Sequence, residues 1–448
     1  MEFTAFKEAV IRAAAALGIT EYELYYQAAE STSISAFKHE TNQFTASIEG
    51  GVCFRCIVGG RMGYASTEAL NEEQAEAIVR RAADNAAALE TEDPVFLGEG
   101  GQTYEPLQIC AYQLPSTEGL IQTVLDTQEK LYASNPAVID GSTSQCFAER
   151  SEIAIYNSKG LDLHYENNAS GVVVGAVVQG DGEMSNDYQI KLGNFQTMDT
   201  AELAAKAVTG ALSKLGGDVA PTGTYPVVFD PEAMADLLQT FCSIFSSEAA
   251  QKGLSRLAGQ EGQVIAAPIV TLVDDPFHRD NPMPINFDAE GSPTHKKNII
   301  ENGVLNTLLY NLKTAALAGK KTTGNAAKGG YNSAVAVRPF TMYLAPGNMT
   351  EEELLVKANN GVYINSLGGL HAGANPISGD FSLQSGGFMI ENGKKTIPVK
   401  SFTVAGNFYD LLKNITALAD NTQLPAAMGM TAFGSPTVLV EGLSIAGK

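Results

Sequence analysis

The sequence predicts an α+β protein. Three observations carry that prediction: an amphipathic helix opens the chain, a series of strand-like runs follows it, and helical periodicity returns at intervals between further strands. The 44 glycines and 18 prolines supply the turns that many strands require. The expected architecture is an N-terminal α+β region, a strand meander flanked by helices, followed by a strand-rich C-terminal domain of barrel- or sandwich-like form. At 448 residues the chain can bury two or three cores. Boundaries fall where periodicity lapses, giving domains over 1–92, 112–217 and 222–448.

Phe6, Val10, Ala13, Ala14 and Leu17 share one face of the first helix, which Gly18 stops. Strand-like runs cover 22–27, 33–37, 43–48 and 52–58, with turns expected at Thr41-Asn42 and Gly50-Gly51. A second helix begins near Asn71 and turns Ile78, Val79, Ala82, Ala83, Ala86 and Leu89 inward. Ser116 caps a third, and a hairpin is centred on Asn157-Ser158-Lys159-Gly160. Asp199 opens a helix expected to reach Leu215. Asp230-Pro231 is an N-cap and first-turn pair for a helix burying Met234, Leu237, Leu238, Phe241 and Ile244. Strands dominate after about residue 262, and Asn302-Gly303 and Asn392-Gly393 mark two hairpins. Between 368 and 393 glycines interleave with alternating apolar positions, a poor helix that reads as loop, strand, tight turn and return strand.

A net charge of −21 argues against nucleic acid and against anionic membrane surfaces, both of which need a basic face. The first residues lack a basic segment followed by an apolar core, so no signal peptide is expected, and no apolar run has the length of a membrane span. Five scattered cysteines fit a reducing cytoplasm.

Chemistry is harder to find. Cys53 and Cys56 form a Cys-x-x-Cys within a strand pattern, which puts the thiols on opposite faces as buried structural residues. Among the five histidines none pair at helical spacing; His371 is a loop residue with an ordinary hydrogen-bonding role. Asp274-Asp275 could hold a hard cation with Asp280 or Asp288, but the simpler reading is a solvated loop cap. The run from Gly319 to Gly324 lacks the order of a phosphate-binding loop. Residue chemistry alone therefore leaves no self-evident catalytic set.

Several stretches together resemble the TldD/PmbA family, long labelled modulators of DNA gyrase. They are the segment from Gly51 to Ser66, Ile269 to Asp275, Ile300 to Leu305, the glycine-rich stretch with Gly379-Asp380-Phe381-Ser382, Pro398 to Phe408, and Ser435 to Leu443. In that family TldD-like and PmbA-like (TldE) chains pair into a cytoplasmic metallopeptidase that degrades unfolded or extended peptides. The TldD-like chain holds zinc through a His-Glu-x-x-x-His helix and a cysteine near its C-terminus. The corresponding helix here reads Pro231-Glu232-Ala233-Met234-Ala235-Asp236, and no cysteine occurs between Leu424 and Gly434.

The resemblance thus implies a PmbA-like partner subunit with no catalytic or metal-ligating residues of its own, zinc being expected in a TldD-like partner. Glu232 then serves the helix dipole and Asp236 is a solvated acid. His371, Asp380, Ser382 and Ser385 become candidates for peptide or partner contact. Two alternatives stand beside this: an autonomous metal-dependent hydrolase using His371 with Asp274, Asp275 or Asp280, and a homodimer that only binds peptides.

Overall fold

A computed structural model describes residues 1–91, 93–107, 113–180, 182–281, 283–424 and 431–448. The expected segment between the first two domains and the C-terminal segment from Leu424 to Gly434 therefore lie partly outside the described residues.

The N-terminal half is built on one antiparallel sheet. Helix α1 (Phe3–Ala16) leads into β1 (Tyr22–Phe37), β2 (Glu40–Val58) and β3 (Arg61–Thr67), then α2 (Glu72–Ala88) and α3 (Thr117–Ser134). Strands β4 (Thr143–Asn157), β5 (Asp162–Gly180) and β6 (Glu183–Leu192) complete the sheet, and α4 (Thr200–Ser213) follows. The strand order is β3-β2-β1-β4-β5-β6. Because β1 pairs with β4 from Glu23↔Asn157 to Phe37↔Thr143, the sheet runs straight across the expected boundary after residue 92.

Strand periodicity divides the sheet into two faces. Tyr22, Leu24, Ile34 and Ala36 of β1 pack toward the four helices, in two apolar clusters. The odd positions, from Tyr25 onward, face the C-terminal half.

Three expectations about this region are corrected. The runs at 43–48 and 52–58 form one strand, and the turn lies at Lys38 and His39, whose φ values are 53° and 64°. Gly50-Gly51 is not a turn. A Cβ on Gly50 would meet the Gln27 carbonyl oxygen at 2.7 Å and one on Gly51 would meet the Tyr331 ring at 2.7 Å, so these glycines permit close approach instead. Helix α4 also stops at Ser213, short of Leu215. Strand β3, which the sequence reading passed over, pairs only with 52–58 of β2 and leaves the outer edge of 40–51 open among the described residues.

The C-terminal half is strand-rich, as expected. In chain order it contains β7 (Asp218–Val219), β8 (Gly223–Phe229), α5 (Pro231–Phe241), α6 (Ser247–Gln251), β9 (Leu272–Asp274), β10 (Lys297–Glu301) and β11 (Val304–Leu305). Then come α7 (Leu312–Leu317), β12 (Ala326–Ala327), β13 (Ala336–Val337), β14 (Thr341–Leu344), α8 (Glu351–Ala358), β15 (Gly361–Gly368) and α9 (Leu370–Gly373). The last elements are β16 (Asp380–Glu391), β17 (Lys394–Asn407), α10 (Phe408–Lys413), β18 (Ile415–Leu418), β19 (Ala432–Gly434) and β20 (Val438–Ala446).

One sheet runs β18-β20-β8-β15-β16-β17-β7, and β17 also pairs with β20, which closes five strands into a barrel. A second sheet runs β11-β10-β9-β14-β19. Helix α5 packs on β8 and β15 on one side and on β14 and β19 on the other. Asp230 Oδ1 accepts the Ala233 amide at 2.7 Å and Pro231 holds the first turn, so the local signals in the sequence start the helix where expected. Met234, Leu237, Leu238 and Phe241 are fully buried in the largest core cluster.

Candidate functional site: the polar face of helix α5 and the cleft beyond it

Glu232, Asp236, Gln239 and Thr240 recur at helical spacing opposite the buried stripe of α5, and Ser243 follows in the 3-10 turn that continues it. The first two form an acidic pair against Tyr188 of β6. The Tyr188 hydroxyl donates to Glu232 Oε1 at 2.9 Å. Burial pushes the Glu232 carboxyl up, opposed by that hydrogen bond and reinforced by Asp187. Asp236 is half-buried, not solvated as expected. Burial, with the neighbouring Glu232 charge adding to it, pushes its carboxyl up to about 6. Nearby, Asp187 is held by Lys214 at 2.6 Å.

Gln239 and Thr240, later on the same face, and Ser243 of the next turn open into a cleft of about 1200 Å³. One wall is the odd-numbered face of the N-terminal sheet, with Tyr25, Gln27, Ser31, Glu149 and Ile153. The opposite wall comes from α5, α6 and the β12–β13 hairpin of the C-terminal half. At its inner end the two halves are joined by buried charges. Arg55 Nε donates to Glu23 Oε1 at 2.7 Å, Arg55 Nη1 lies 4.0 Å from Glu290 Oε1, and Asn157 Nδ2 donates to Glu23 Oε2 at 3.2 Å. Asp288 accepts the amides of Glu290, Ser292 and Ala326, yet burial and the Glu290 charge push its carboxyl up.

The glycine-rich stretch of 368–393 lies beside this helix, since α9 packs against α5. It is more regular than a loop: residues 370–373 make a helical turn, so the expected loop position of His371 is corrected to a short helix with an exposed side chain. The Asn375 side chain then accepts the Ile377 and Ser378 amides at 3.0 and 3.2 Å, turning the chain into β16. Gly379 has φ +82°, and a Cβ there would sit 2.5 Å from the Tyr409 ring. Asp380 is exposed and accepts from Asn407 Nδ2 at 2.8 Å, while Ser382 points outward. Ser385 does not fit a contact role. Strand parity turns it inward with Phe381 and Leu383, and its hydroxyl donates to the Leu383 carbonyl at 3.0 Å.

Asp274 and Asp275 are also not solvated. Asp274 is fully buried and accepts Lys297 Nζ at 3.0 Å, Asn325 Nδ2 at 2.8 Å and the Phe340 and Thr341 amides at 2.9 and 3.0 Å. Asp275 lies 3.2 Å from Lys296 Nζ and caps the Phe277 amide. Asp280 is exposed beside Arg279. The set His371, Asp274, Asp275 and Asp280 is not brought together. Among the described residues no three His, Cys, Asp or Glu side chains are grouped to hold a metal ion. Cys53 and Cys56 are buried on opposite faces of the sheet, as their spacing predicts.

A catalytic zinc takes three protein ligands and an open position. Glu232 and Asp236 are two oxygens without a third donor among the described residues, one of them already bonded to Tyr188, so the α5 residues do not fit that ion.

With a closed barrel, a shared N-terminal sheet and the cleft between them, the chain has the organisation of a PmbA/TldD-type metallopeptidase. The family profiles match residues 22–86 as PmbA/TldA metallopeptidase domain 1, 113–215 as the central domain and 222–447 as the C-terminal domain, and the chain belongs to this family. A crystal structure of a protein from Thermotoga maritima, described as a modulator of a DNA gyrase, superposes with a TM-score of 0.89 at 30% identity, over 99% of this chain and 100% of that one. TldE from Thermococcus kodakarensis shares the fold with a TM-score of 0.88 at 23% identity, over 99% of this chain and 100% of its own. In sequence, the metalloprotease PmbA homolog of Haemophilus influenzae is 25% identical over 406 residues, 87% of this chain and 85% of its own length. No described helix is long and apolar enough to cross a membrane.

Three parts of the site escaped the sequence reading: Tyr188, the cleft-facing row of β1, and the β12–β13 hairpin. The row left a signal, because Gln27, Ala29, Ser31 and Ser33 alternate as small or polar residues in a strand otherwise headed for a core.

Proposed function

We propose that this chain is the PmbA-like partner subunit of a TldD/PmbA-type metallopeptidase that acts on unfolded or extended peptides in the cytoplasm. The observation that carries the reading is the helix at 231–236: Pro231 and Asp236 stand where the family motif has its two histidines, Glu232 keeps the glutamate position, and Tyr188 already engages that glutamate. Hydrolysis then depends on zinc held by a TldD-like chain, and this subunit contributes walls that hold the substrate.

The cleft supports that role, being wide enough for an extended chain and lined by a sheet face. The open edge of β2 at 40–51 suits main-chain pairing with a peptide or a partner, and His371, Asp380 and Ser382 offer exposed polar contacts beside α5. The acidic surface offers nothing to DNA, so direct action on gyrase-bound DNA is not part of the proposal.

The test is co-purification from the native cell followed by a peptidase assay with each subunit present or omitted. A TldD-like chain should be recovered in stoichiometric amount, and cleavage of an unfolded peptide should need both chains. Recovery of no such chain, with full activity after deletion of this one, would refute the assignment.

A further inference from the structure

The cleft carries two side chains of opposite charge, neither in an ion pair among the described residues. Lys328, just after β12, lines its inner end with the ammonium 4.5 Å from the centroid of the Tyr25 ring. It has no carboxylate within ion-pair distance among the described residues, whereas Lys252, another cation of the lining, is tied to Glu248 at 2.6 Å. Its immediate walls are apolar: Tyr25, Cys53, Ile153, Phe287 and Phe340 belong to one buried cluster. Burial pulls the ammonium below the usual lysine range, with Arg55 adding to this and Glu23 opposing it.

On β4, Glu149 lines the same cleft with no cation partner among the described residues. Burial and the Glu49 charge push its carboxyl up. Between these two, Gln27 presents a buried side-chain oxygen that accepts no hydrogen bond among the described residues. An orphaned acceptor of this kind costs free energy until a donor arrives.

Register fixes the spacing. Glu149 lies opposite Ser31, so the path from Tyr25 to Glu149 is six positions along β1, about 20 Å at ~3.3 Å per residue. An extended peptide of about six residues has its two terminal charges that far apart.

We propose that the cleft binds an extended peptide in one direction, with a free carboxylate at Lys328 and the amino-terminal end toward Glu149. Gln27 takes a peptide N–H between them. The proposal rests on the peptide-holding reading above and adds a polarity and a length to it. The carboxylate is supplied either by a chain terminus or by an acidic side chain, and a direct pair with an ammonium in an apolar setting is the stronger for being shielded from water.

The experiment is calorimetric titration of the full-length chain with a Ser/Ala/Val hexapeptide in four end states: both ends free, N-acetylated, C-amidated, and both capped. Amidation should weaken binding by about tenfold or more, and acetylation by less, because Glu149 is the less buried of the two. A fifth, C-amidated peptide ending in glutamate recovers affinity if a side-chain carboxylate serves as well, and stays weak if only a terminus does. Lys328→Met should erase the difference between free and amidated peptides, Lys328→Arg should keep it, and Glu149→Gln should erase the smaller effect of acetylation. Equal binding of the free and amidated peptides to the wild-type chain overturns the carboxylate subsite while leaving peptide holding intact. Failure of all five peptides to bind overturns the peptide-holding reading with it.

Discussion

Two groups of carboxylates, one at the junction of the two halves and one on α5, are treated oppositely. At the junction of the two halves Glu23 and Glu290 flank Arg55, with Asn157 Nδ2 donating to Glu23 and the Leu312 amide to Glu290. Burial works against the Arg55 charge, but the two glutamates more than offset it and hold the guanidinium charged. On α5, Glu232 and Asp236 have no cation between them among the described residues, a single hydroxyl as partner there, and partial access to water. Carboxylates closed around a cation tie two halves of a molecule together. Carboxylates left half-open with raised affinity for protons are free to respond to what enters.

The largest expected effect breaks the first group. Arg55→Met leaves Glu23 buried without its counter-charge and should cost about 3–5 kcal/mol, read as a lowered midpoint in urea denaturation. An unchanged midpoint would mean that the junction is held by its apolar neighbours alone. Asp236→Asn sharpens the second group and should act in the other direction. The folded-state value near 6 lies above the ordinary 3.8, so the folded chain keeps a proton that the unfolded chain has lost. Wild-type stability therefore falls as pH rises from about 4 to 6, and the penalty is complete above that window. Asn removes it, for a gain on the order of 1 kcal/mol at pH 8 once solvent screening is allowed for, and none near pH 4. A gain that does not change with pH would assign the effect to packing. The smallest effect is that of Tyr188→Phe. Tyr188 is 57% exposed, so losing its bond to Glu232 should cost less than about 1 kcal/mol, slightly more at pH 8 than at pH 5.

The same contrast separates what could be read from the sequence. Local signals held: Asp230-Pro231 starts α5, Asn302 and Asn392 take φ values of 50° and 51° ahead of their glycines, and the three-residue spacing of Cys53 and Cys56 splits them between faces. Gly50-Gly51 misled because two glycines announce equally a turn or a close approach, and only the partner, here the Tyr331 ring, decides between them. Asp274 was misplaced for a similar reason. Its partners Lys297, Asn325 and Phe340 arrive from distant segments, and an aspartate pair without them reads as a loop cap. The same is true of Lys328, whose meaning lies in the absence of a partner that a sequence cannot display. The inward position of Ser385, by contrast, is legible in the alternation Phe381, Leu383, Ser385.

The closure of the barrel has a consequence for how this chain is made. Strand β8 enters near residue 223, yet its neighbour β20 is synthesised last, with Gly223 opposite Ile445 and Val227 opposite Val440. The N-terminal sheet has all six strands by Leu192 and can assemble while the ribosome is still at work. The barrel must wait for β20, and until then β8 and β17 each lack a neighbour. Nascent chains arrested before Val438 should thus resist protease through the N-terminal half and be cut in the C-terminal half, and release of the final strand should end that sensitivity.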